Sequence, residues 1–561
     1  MVELASSFTT HTHKRRSVER LKVVCYFPQV LKEFLKTIEN SPSIIDQHPP
    51  EKLTTGAYYY ICVVLTVIFF SFIGTSITAY EYFNKLSKDK NYSFSRKQNA
   101  NDLKKTEMER KVQEDSTGKD ITFKSIFKCF CIYSNGKKLF TTSTTANPLN
   151  CLHGLRFFAT LVVITTHFIG TIFLLISDYR SIEAIASAWY AQFLWNGIVI
   201  ILEFFMIGGF LNAYLFCSEY GKKNGKISYS LYYIQRLIRT TPVFMAVYWF
   251  YTLLFSYTGS GPLWPSFATN PLCLQRWWTY PLYVNNMESM TKTCLPVLWY
   301  LAADMQLYMI SPMFMIALIR WPKLGYTLIG AAICVSSLFS SITTYQYNLV
   351  LGFSRLPEHL SNLEPFLERF WEFGTVLYSK TTAQLTPYVI GIFLGHYWYK
   401  RENDKSGKVS KMTRCCGWIL TCFLMWFYFF GLYGTKVDPW ANAIFVGIKD
   451  VSFSFGFAWI LFMCLSGHTG SLSKFLSLKG FQVFSRLGLS VYLTHPIVMM
   501  HIFYSVRKYI ESPMTLLVLL SYTIAISYVS AIVVCLLFEA PIVRLLSLYK
   551  QHKLASRKKA D

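Results

Sequence analysis

The chain has 561 residues, of which 52% are hydrophobic and only 15% are charged. Soluble domains carry about 25% charged residues, so this composition excludes an ordinary soluble protein, and the lack of strictly alternating segments excludes a transmembrane β-barrel. The formal net charge is +24, but the Lys and Arg residues lie in loops between apolar runs and form no nucleic-acid-binding motif. The sequence therefore predicts an all-α polytopic integral membrane protein.

Apolar runs of about 20 residues match the thickness of a bilayer and predict about eleven transmembrane helices. We expect about ten of them to form a single membrane domain. In chain order, the approximate cores of the spans are 57–82, 155–177, 193–216, 234–256, 297–318, 324–344, 385–398, 416–433, 444–466, 486–504 and 513–538.

Basic loops determine the predicted orientation. The lysine-rich stretch after the first span and every second loop that follows are basic, which places them in the cytosol. The N-terminus is then outside or lumenal and the C-terminus cytosolic. The basic segment "HKRRSVERLK" near the N-terminus conflicts with this orientation. A signal segment that is missing upstream of the first span would resolve the conflict. The sequence does not distinguish the plasma membrane from the endoplasmic reticulum.

The predicted organisation is an N-terminal non-cytosolic segment (1–56), a first transmembrane helix (57–83), a basic flexible cytosolic loop (84–148), a multi-span membrane domain (149–547) and a basic cytosolic tail (548–561).

The predicted outer loop 257–295 contains Cys273 and Cys294. Because this side of the membrane is oxidising, we predict a disulfide between them, with two unpaired thiols as the alternative. The other cysteines are scattered and lack zinc-ligand spacing. No metal site is predicted.

Arg156 and His167 lie in a predicted span, where ionisable groups are costly and usually face a cavity or a partner. They are eleven residues apart, which corresponds to three helical turns plus about 20° and a rise of about 16 Å. Both side chains therefore share one stripe, with Arg156 near the cytosolic rim and His167 near mid-bilayer. The pattern favours a channel for an anionic-headed substrate in which His167 accepts a proton; snorkelling or a structural hydrogen bond is the alternative for each residue.

Other polar residues interrupt the apolar runs. Arg236 and Arg239 are neighbours on one helix surface and suit phosphate binding or ordinary positive-inside anchoring. Asp304 lies deep in its span and suits pairing with an arginine, orientation of a histidine or a hydrogen bond to substrate. His495 precedes Pro496, so a helix kink explains it as well as catalysis does. The remaining ionisable residues of the predicted spans include Glu203, Lys449, Asp450 and Glu539.

Six motifs in a fixed order resemble the acyltransferase-three superfamily of membrane proteins, and in particular its nose-resistant-to-fluoxetine branch. They are "LNCLHGLRFFATLVVITTH", "FFMIGGFLNAYLF", "RLIRTTP", "LWYLAADMQLYMISP", "LSVYLTHPIV" and "FEAPIVRL". The resemblance covers about residues 57–547. It implies transfer of an acyl group from a cytosolic acyl-CoA co-substrate to a hydroxyl acceptor (a lipid, sterol or small molecule) in or across the bilayer, with no permanently bound cofactor and no nucleic-acid partner.

Carried over position by position, the motifs imply roles for individual residues. His167 is the expected general base, and Asp304 is the expected acidic residue of the catalytic site. Arg156, Arg236 and Arg239 are expected to bind the donor. The expected supporting residues are His153, Glu203, Gln306, Tyr308, His495 and Glu539.

The chain departs from the motifs of the family at three places. "GGF" replaces "SGF" at Gly208–Phe210, Gln384 stands where many relatives carry Arg, and Lys449–Asp450 stands where an Arg is expected. These departures leave room for an alternative interpretation, a non-enzymatic transporter or uptake factor for lipids or xenobiotic small molecules on the same fold. A structural or receptor-like scaffold is a third alternative, but it does not explain the charged residues within the spans.

Overall fold

The structure is a computed structural model in which every long regular element of the described residues is helical. The predicted all-α architecture is therefore confirmed. Most of the N-terminal segment 1–56 lies outside the part of the chain that is described. The described residues are 50, 52–96, 122–142, 147–172, 188–265, 267–349, 363–404, 409–433, 438–507 and 512–560.

Eleven long helices, named α1 to α11 here, occupy the positions of the predicted spans in the described part of the chain. Proline takes the first helical position of α6, α9 and α11, where its missing N–H costs no helical hydrogen bond. The bounds are α1 Thr55–Arg96, α2 Cys151–Ile172, α3 Ile200–Lys222, α4 Tyr229–Leu253, α5 Trp299–Arg320, α6 Pro322–Tyr347, α7 Leu385–Asn403, α8 Lys411–Phe430, α9 Pro439–Leu465, α10 Gly488–Ser505 and α11 Pro513–Val534.

Shorter helices occupy several of the connections. Two of them have π-helical hydrogen bonding, Gly374–Tyr378 and Cys535–Glu539. The short α-helices and the C-terminal helix are Phe123–Cys129, Ile132–Phe140, Gln192–Trp195, Pro271–Arg276, Leu363–Phe373, Ser471–Leu476, Lys479–Arg486 and Ala540–Ala560.

Length and apolar composition identify 8 described helices that can cross a membrane, or up to 9 if Lys479–Arg486 and α10, which are bent by 64°, form one span. Helices α4 and α7 are not among them. Polar and basic residues such as Arg236 and Arg239 interrupt α4, and α7 ends in a charged turn with Lys400 and Arg401. The chain is therefore a multi-pass membrane protein, but the predicted number of eleven spans is not confirmed.

Two predicted span boundaries differ from the observed helices. In the third predicted span, 193–216, the continuous helix begins only at Ile200, and short helical turns occupy the residues before it. Asn196 and Gly197 lie in these turns, and both residue types are poor helix formers. Residues 173–177 of the second predicted span lie outside the described residues.

Helices also form inside the stretch 84–148, which the sequence predicts to be a flexible loop. One of them, Ile132–Phe140, is capped at its C-terminal end by Arg486. The Nη1 atom of Arg486 donates hydrogen bonds to the carbonyl groups of Leu139 at 2.9 Å and Thr141 at 2.6 Å. The last turn of a helix leaves such carbonyl groups without N–H partners. Part of this stretch is thus docked on the helical bundle.

Helices α3 and α7 pack closely because glycine occupies their contact points. A Cβ atom at Gly209 would lie 2.2 Å from the carbonyl oxygen of Tyr388, and one at Gly391 would lie 2.2 Å from the carbonyl oxygen of Met206. A larger residue at either position would force the two backbones apart. The close approach brings Gly208 of α3 and Tyr388 of α7 to the edge of the candidate site.

The loop between α4 and α5 covers one end of the bundle, which we call the loop face. Within it, Cys273 and Cys294 form a disulfide, and their Cα atoms are 4.9 Å apart. The Tyr248 hydroxyl of α4 donates a hydrogen bond to the carbonyl oxygen of Cys273 at 2.8 Å. The backbone N–H of Leu295 donates to the Tyr280 hydroxyl at 3.2 Å. Covalent and polar links therefore hold the loop against α4 and the start of α5.

Replacement of both Cys273 and Cys294 by Ser is expected to lower the thermal unfolding temperature. The disulfide joins residues separated by 21 positions, and a crosslink of that length contributes about 3 kcal/mol by restricting the unfolded chain. Thermal unfolding of the full chain in detergent, without reductant, measures the effect. The control is Cys62→Ser, which removes an exposed free thiol of α1; equal unfolding temperatures for the two variants would contradict the prediction.

Candidate functional site

Helix α2 carries Arg156 and His167 on one face, as the helical period predicts. Both side chains are half-buried. The residues between them on the same face, Thr160 and Val163, are each 7% exposed, so this face packs against protein and not against lipid. The face of α2 that carries both ionisable side chains is therefore turned towards the helical bundle.

Arg236 of α4 and Asp304 of α5 form an ion pair between Nη2 and Oδ2. Their side chains are 31% and 15% exposed, respectively. The Arg236 guanidinium also lies 4.3 Å from the ring centroid of Tyr308, and Tyr308 stacks on Tyr232 with ring centroids 4.3 Å apart. The carboxylate and the aromatic face both stabilise the guanidinium. The pair thus joins α4 to α5 and neutralises the charge of Arg236.

The Arg156 guanidinium lies close to this ion pair. It interacts electrostatically with Arg236, Arg239, Asp304 and Tyr300. Among the described residues, no carboxylate lies within ion-pair distance of Arg156 or Arg239. Both arginines lack a paired protein counter-ion among these residues, but Arg239 is exposed. Arg156 is half-buried, and an unpaired guanidinium in this condition attracts an anionic ligand.

Glu539 lies at the end of the π-helical turn Cys535–Glu539, which follows α11. Its carboxylate accepts a hydrogen bond from the Ser490 hydroxyl at 2.7 Å and interacts electrostatically with Arg239 at longer range. Such turns insert one extra residue into a helix and occur frequently at functional sites. Glu539 therefore borders the site near Arg239 without forming an ion pair with it.

His167 of α2 contacts His495 of α10. His167 Nδ1 and His495 Nε2 are 3.2 Å apart, and the two ring planes differ by 21°. His495 is 0% exposed, and its Nδ1 atom lies 3.2 Å from the carbonyl oxygen of Val491. The structure thus places the predicted base in direct contact with a residue that the sequence predicts only as supporting.

Gln306 connects α5 to the loop face. Its Nε2 donates hydrogen bonds to the Tyr283 carbonyl at 2.7 Å and to Asn286 Oδ1 at 2.9 Å. The Thr381 hydroxyl donates to Gln306 Oε1. Both ends of the amide are occupied, so Gln306 anchors the loop in the neighbourhood of the ion pair and offers no unused donor to a substrate.

His153 and Glu203 have no direct hydrogen bond or ion pair with the Arg156–His167 face among the described contacts. His153 lies at the start of α2, with Nδ1 3.1 Å from the Ser485 hydroxyl. Glu203 of α3 is 5% exposed, and its Oε1 has no hydrogen-bond partner within the described part of the chain. The supporting roles of both residues stay predictions.

A polar cluster beside the ion pair was not predicted from the sequence. Asn212 Nδ2 donates hydrogen bonds to Ser311 Oγ at 2.8 Å and to the Tyr388 hydroxyl at 3.1 Å. The Tyr232 hydroxyl donates to Asn212 Oδ1 at 2.9 Å. An asparagine within an apolar run was the available signal, whereas tyrosines at helical spacing are indistinguishable from ordinary core residues.

Two departures from the sequence motifs have distinct environments. A Cβ atom at Gly208 would lie in ordinary van der Waals contact with Asp304 Oδ1, at 3.7 Å, so this position directly borders the carboxylate. Gln384 Nε2 donates to the Tyr378 carbonyl at 2.8 Å, and Gln384 Oε1 is buried without a hydrogen-bond partner among the described residues. Only Gly208 borders the ion pair directly.

In the third departure, Lys449–Asp450, the two side chains form an ion pair with each other. Lys449 Nζ and Asp450 Oδ1 are 2.5 Å apart, and the side chains are 11% and 17% exposed. Lys449 Nζ also lies 5.5 Å from the ring centroid of Tyr428. The lysine is therefore paired within the protein and supplies no free cation for a ligand.

Comparisons with known proteins identify the family. Residues 149–535 match the model of the acyltransferase-3 family, which is described as an acyltransferase domain. "Nose resistant to fluoxetine protein 6" of Caenorhabditis elegans is 26% identical over 458 residues, which cover 77% of this chain and 55% of that protein. "Regulator of hypoxia-inducible factor 1" of the same organism is 24% identical over 451 residues, which cover 76% of this chain and 85% of that protein.

The match to the first of these relatives spans about half of its length, 55%. No solved structure matches the chain. The sequence similarity therefore establishes the family, and the geometry of the site has to be argued from the residues of this chain.

Asp304→Ala is expected to lower the thermal unfolding temperature, because it leaves the mostly buried Arg236 guanidinium without its carboxylate, at a cost of about 3 kcal/mol. Asp304→Asn keeps a hydrogen-bond acceptor and is expected to lose less. The control is Glu219→Ala, which removes an exposed carboxylate paired with Lys223 and has an expected effect near zero. Thermal unfolding in detergent compares the three variants. If Asp304→Ala were as stable as Glu219→Ala, the ion pair would have no part in stability.

Proposed function

The chain belongs to the acyltransferase-3 family, in its nose-resistant-to-fluoxetine branch, and on this basis we propose that it is a membrane-embedded acyltransferase. It moves an acyl group from an acyl-CoA donor on the cytosolic side to a hydroxyl acceptor (a lipid, sterol or small molecule) in or across the bilayer. One observation carries the proposal. Arg156, without an ion-pair partner among the described residues, and the accessible imidazole of His167 lie about 16 Å apart on one interior face of α2.

In this proposal the end of the bundle opposite the loop face is cytosolic. The connections at that end are basic, with Lys222 and Lys223 after α3 and Lys400 and Arg401 at the end of α7, and cytosolic loops carry an excess of Lys and Arg. The disulfide lies at the other end, where an oxidising compartment would preserve it. Because α2 begins at the basic end, Arg156 is closer to the cytosol than His167.

Arg156 and Arg239 bind the phosphate groups of the donor. Guanidinium groups form paired, charge-assisted hydrogen bonds with phosphate oxygens, and neither arginine has an ion-pair partner among the described residues. Arg236 is already neutralised by Asp304 and helps to keep α4 and α5 in place. The flexible arm of acyl-CoA then extends along α2 and carries the thioester towards His167.

His167 is the general base of the reaction. The imidazole takes the proton of the acceptor hydroxyl while the oxygen attacks the thioester carbonyl carbon, and an ester C–O bond forms. The C–S bond then breaks, and the leaving thiolate takes the proton from the imidazolium, which releases CoA thiol and regenerates neutral His167. Asp304 has no described hydrogen bond with His167, so it supports the reaction by holding Arg236.

His167→Ala is expected to reduce acyl transfer by about 10²–10⁴-fold, the usual contribution of a general base. The assay uses the full chain in liposomes that contain extracted membrane lipids as acceptors, supplied with palmitoyl-CoA, and measures the release of free thiol. The control is His501→Ala. His501 lies on the same helix as His495, is half-buried, and its Nε2 is 3.2 Å from the Thr258 carbonyl at the loop face. We expect its rate to match that of the unmodified chain.

Full thiol release by His167→Ala would exclude the general-base role. If the unmodified chain released no thiol from palmitoyl-CoA but moved lipid or small molecules across the liposome membrane, the transporter alternative would replace the acyltransferase proposal.

Arg156→Ala is expected to raise the dissociation constant for palmitoyl-CoA by about tenfold or more, because it removes a charge-assisted hydrogen bond worth about 1.5–3 kcal/mol. Arg156→Lys keeps the charge but loses the bidentate geometry, so an intermediate constant is expected. Titration of the detergent-solubilised chain with a fluorescent acyl-CoA measures binding. The control is Lys223→Ala, which removes an exposed lysine that is paired with Glu219. If Arg156→Ala and this control had equal dissociation constants, the donor headgroup would bind elsewhere.

A further inference from the structure

The contact between His167 and His495 constrains the hydrogens on both rings. His495 Nδ1 lies 3.2 Å from the carbonyl oxygen of Val491. A carbonyl oxygen only accepts hydrogen bonds, so Nδ1 of His495 carries the hydrogen. In neutral His495 the other nitrogen, Nε2, then has a free lone pair. That atom faces His167 Nδ1 at 3.2 Å.

The same reasoning extends to the ring of His167. Two lone pairs would repel each other at this distance, so a hydrogen on His167 Nδ1 must donate to His495 Nε2. Neutral His167 then has its lone pair on Nε2. No described residue forms a hydrogen bond with this atom, and the His167 side chain is only half-buried. The lone pair that a general base needs is therefore on the nitrogen that is free to meet a substrate.

The position of His495 is fixed by its neighbours on α10. The Thr494 hydroxyl donates a hydrogen bond to the Ser527 carbonyl of α11 at 3.2 Å, and the Tyr492 hydroxyl donates to the Val297 carbonyl at the start of α5. Pro496 lacks the N–H that would otherwise bond to the Tyr492 carbonyl. Contacts with α5 and α11 thus hold the turn that carries His495. A residue that orients another side chain has to be fixed in this way.

We propose that His495 is a positioning residue: it accepts the Nδ1 hydrogen of His167 and so fixes His167 in the tautomer with an unprotonated Nε2. The proposal rests on the proposed function for its catalytic meaning, since this tautomer makes His167 a base towards the acceptor hydroxyl. The tautomer itself is a property of the resting protein. It can be measured whether or not acyl transfer occurs.

Solid-state NMR of the full chain in liposomes, labelled with ¹⁵N-histidine, tests the tautomer directly. The His167 resonances are identified by their disappearance in His167→Gln. In the unmodified chain we expect a protonated Nδ1 and an unprotonated Nε2. His495→Phe keeps a ring of similar size but removes the acceptor, and His167 is then expected to populate both tautomers. His495→Gln offers an amide oxygen as acceptor and is expected to keep the original tautomer.

Kinetics with palmitoyl-CoA separate positioning from packing. His495→Phe is expected to lower kcat by about 10- to 100-fold, the usual effect of removing a partner that orients a functional histidine, with KM for palmitoyl-CoA unchanged. His495→Gln is expected to recover most of the rate. His501→Gln, the same substitution at a half-buried histidine of α10 that lies at the loop face, is the control. Thermal unfolding of each variant verifies that it is folded.

Three results decide between the possibilities. A hydrogen on Nε2 of His167 in the unmodified chain overturns the proposal, whatever the activity. If His495→Phe is folded and the His167 tautomer is unchanged in it, the proposal is also overturned. If His495→Phe does not fold, loss of the original tautomer in His495→Gln overturns it. The expected tautomers, together with no thiol release by the unmodified chain, would support the positioning role of His495 and refute the acyltransferase proposal.

Discussion

The half-buried guanidinium of Arg156 has no carboxylate within ion-pair distance among the described residues, and the rest of the candidate site is arranged around this unpaired charge. Arg236 beside it is neutralised by Asp304, whereas Arg239, which also lacks an ion-pair partner among these residues, is exposed. Charge in a low-dielectric interior is costly unless it is paired or reaches water or a ligand. If Arg156 served stability alone, a paired carboxylate would be expected beside it.

The surrounding fold positions the residues of the candidate site. Glycines at the α3–α7 contact draw these helices together, and Gly208 lies beside the Asp304 carboxylate. The disulfide-bonded loop, tied to α5 through Gln306, covers one end of the bundle. At the other end, α2 presents Arg156 first and His167 deeper in the bundle. In the proposed function, these two residues mark the start and the end of the path that the acyl donor follows.

The sequence predicted the parts of the site that depend on a single helix. Helical periodicity alone placed Arg156 and His167 on one face, because the period of 3.6 residues is fixed by backbone geometry. The Cys273–Cys294 pairing could also be predicted, because both residues lie in one predicted outer loop on the oxidising side of the membrane. Apolar run lengths located the long helices, but they did not determine how many cross a membrane, since α4 and α7 are helical without being strongly apolar.

Contacts between distant segments could not be read from the sequence. Pairing with an arginine was one of three interpretations of Asp304, and nothing in the sequence selected Arg236, which lies 68 positions away. The contact of His167 with His495 joins residues 328 positions apart, and Pro496 offered an equally good structural explanation for that histidine. Asn212 was missed because its meaning depends on the hydroxyl groups around it. Such pairings arise from helix packing, which a single sequence does not specify.

The most direct test of the central claim is a cryo-EM map of the full chain in a lipid nanodisc with a non-hydrolysable palmitoyl-CoA analogue. We expect phosphate density against Arg156 and Arg239 and continuous density along α2 to within hydrogen-bond reach of His167. Density for the analogue at another surface, with lipid tails or closely packed side chains filling the space around the imidazole, would contradict it.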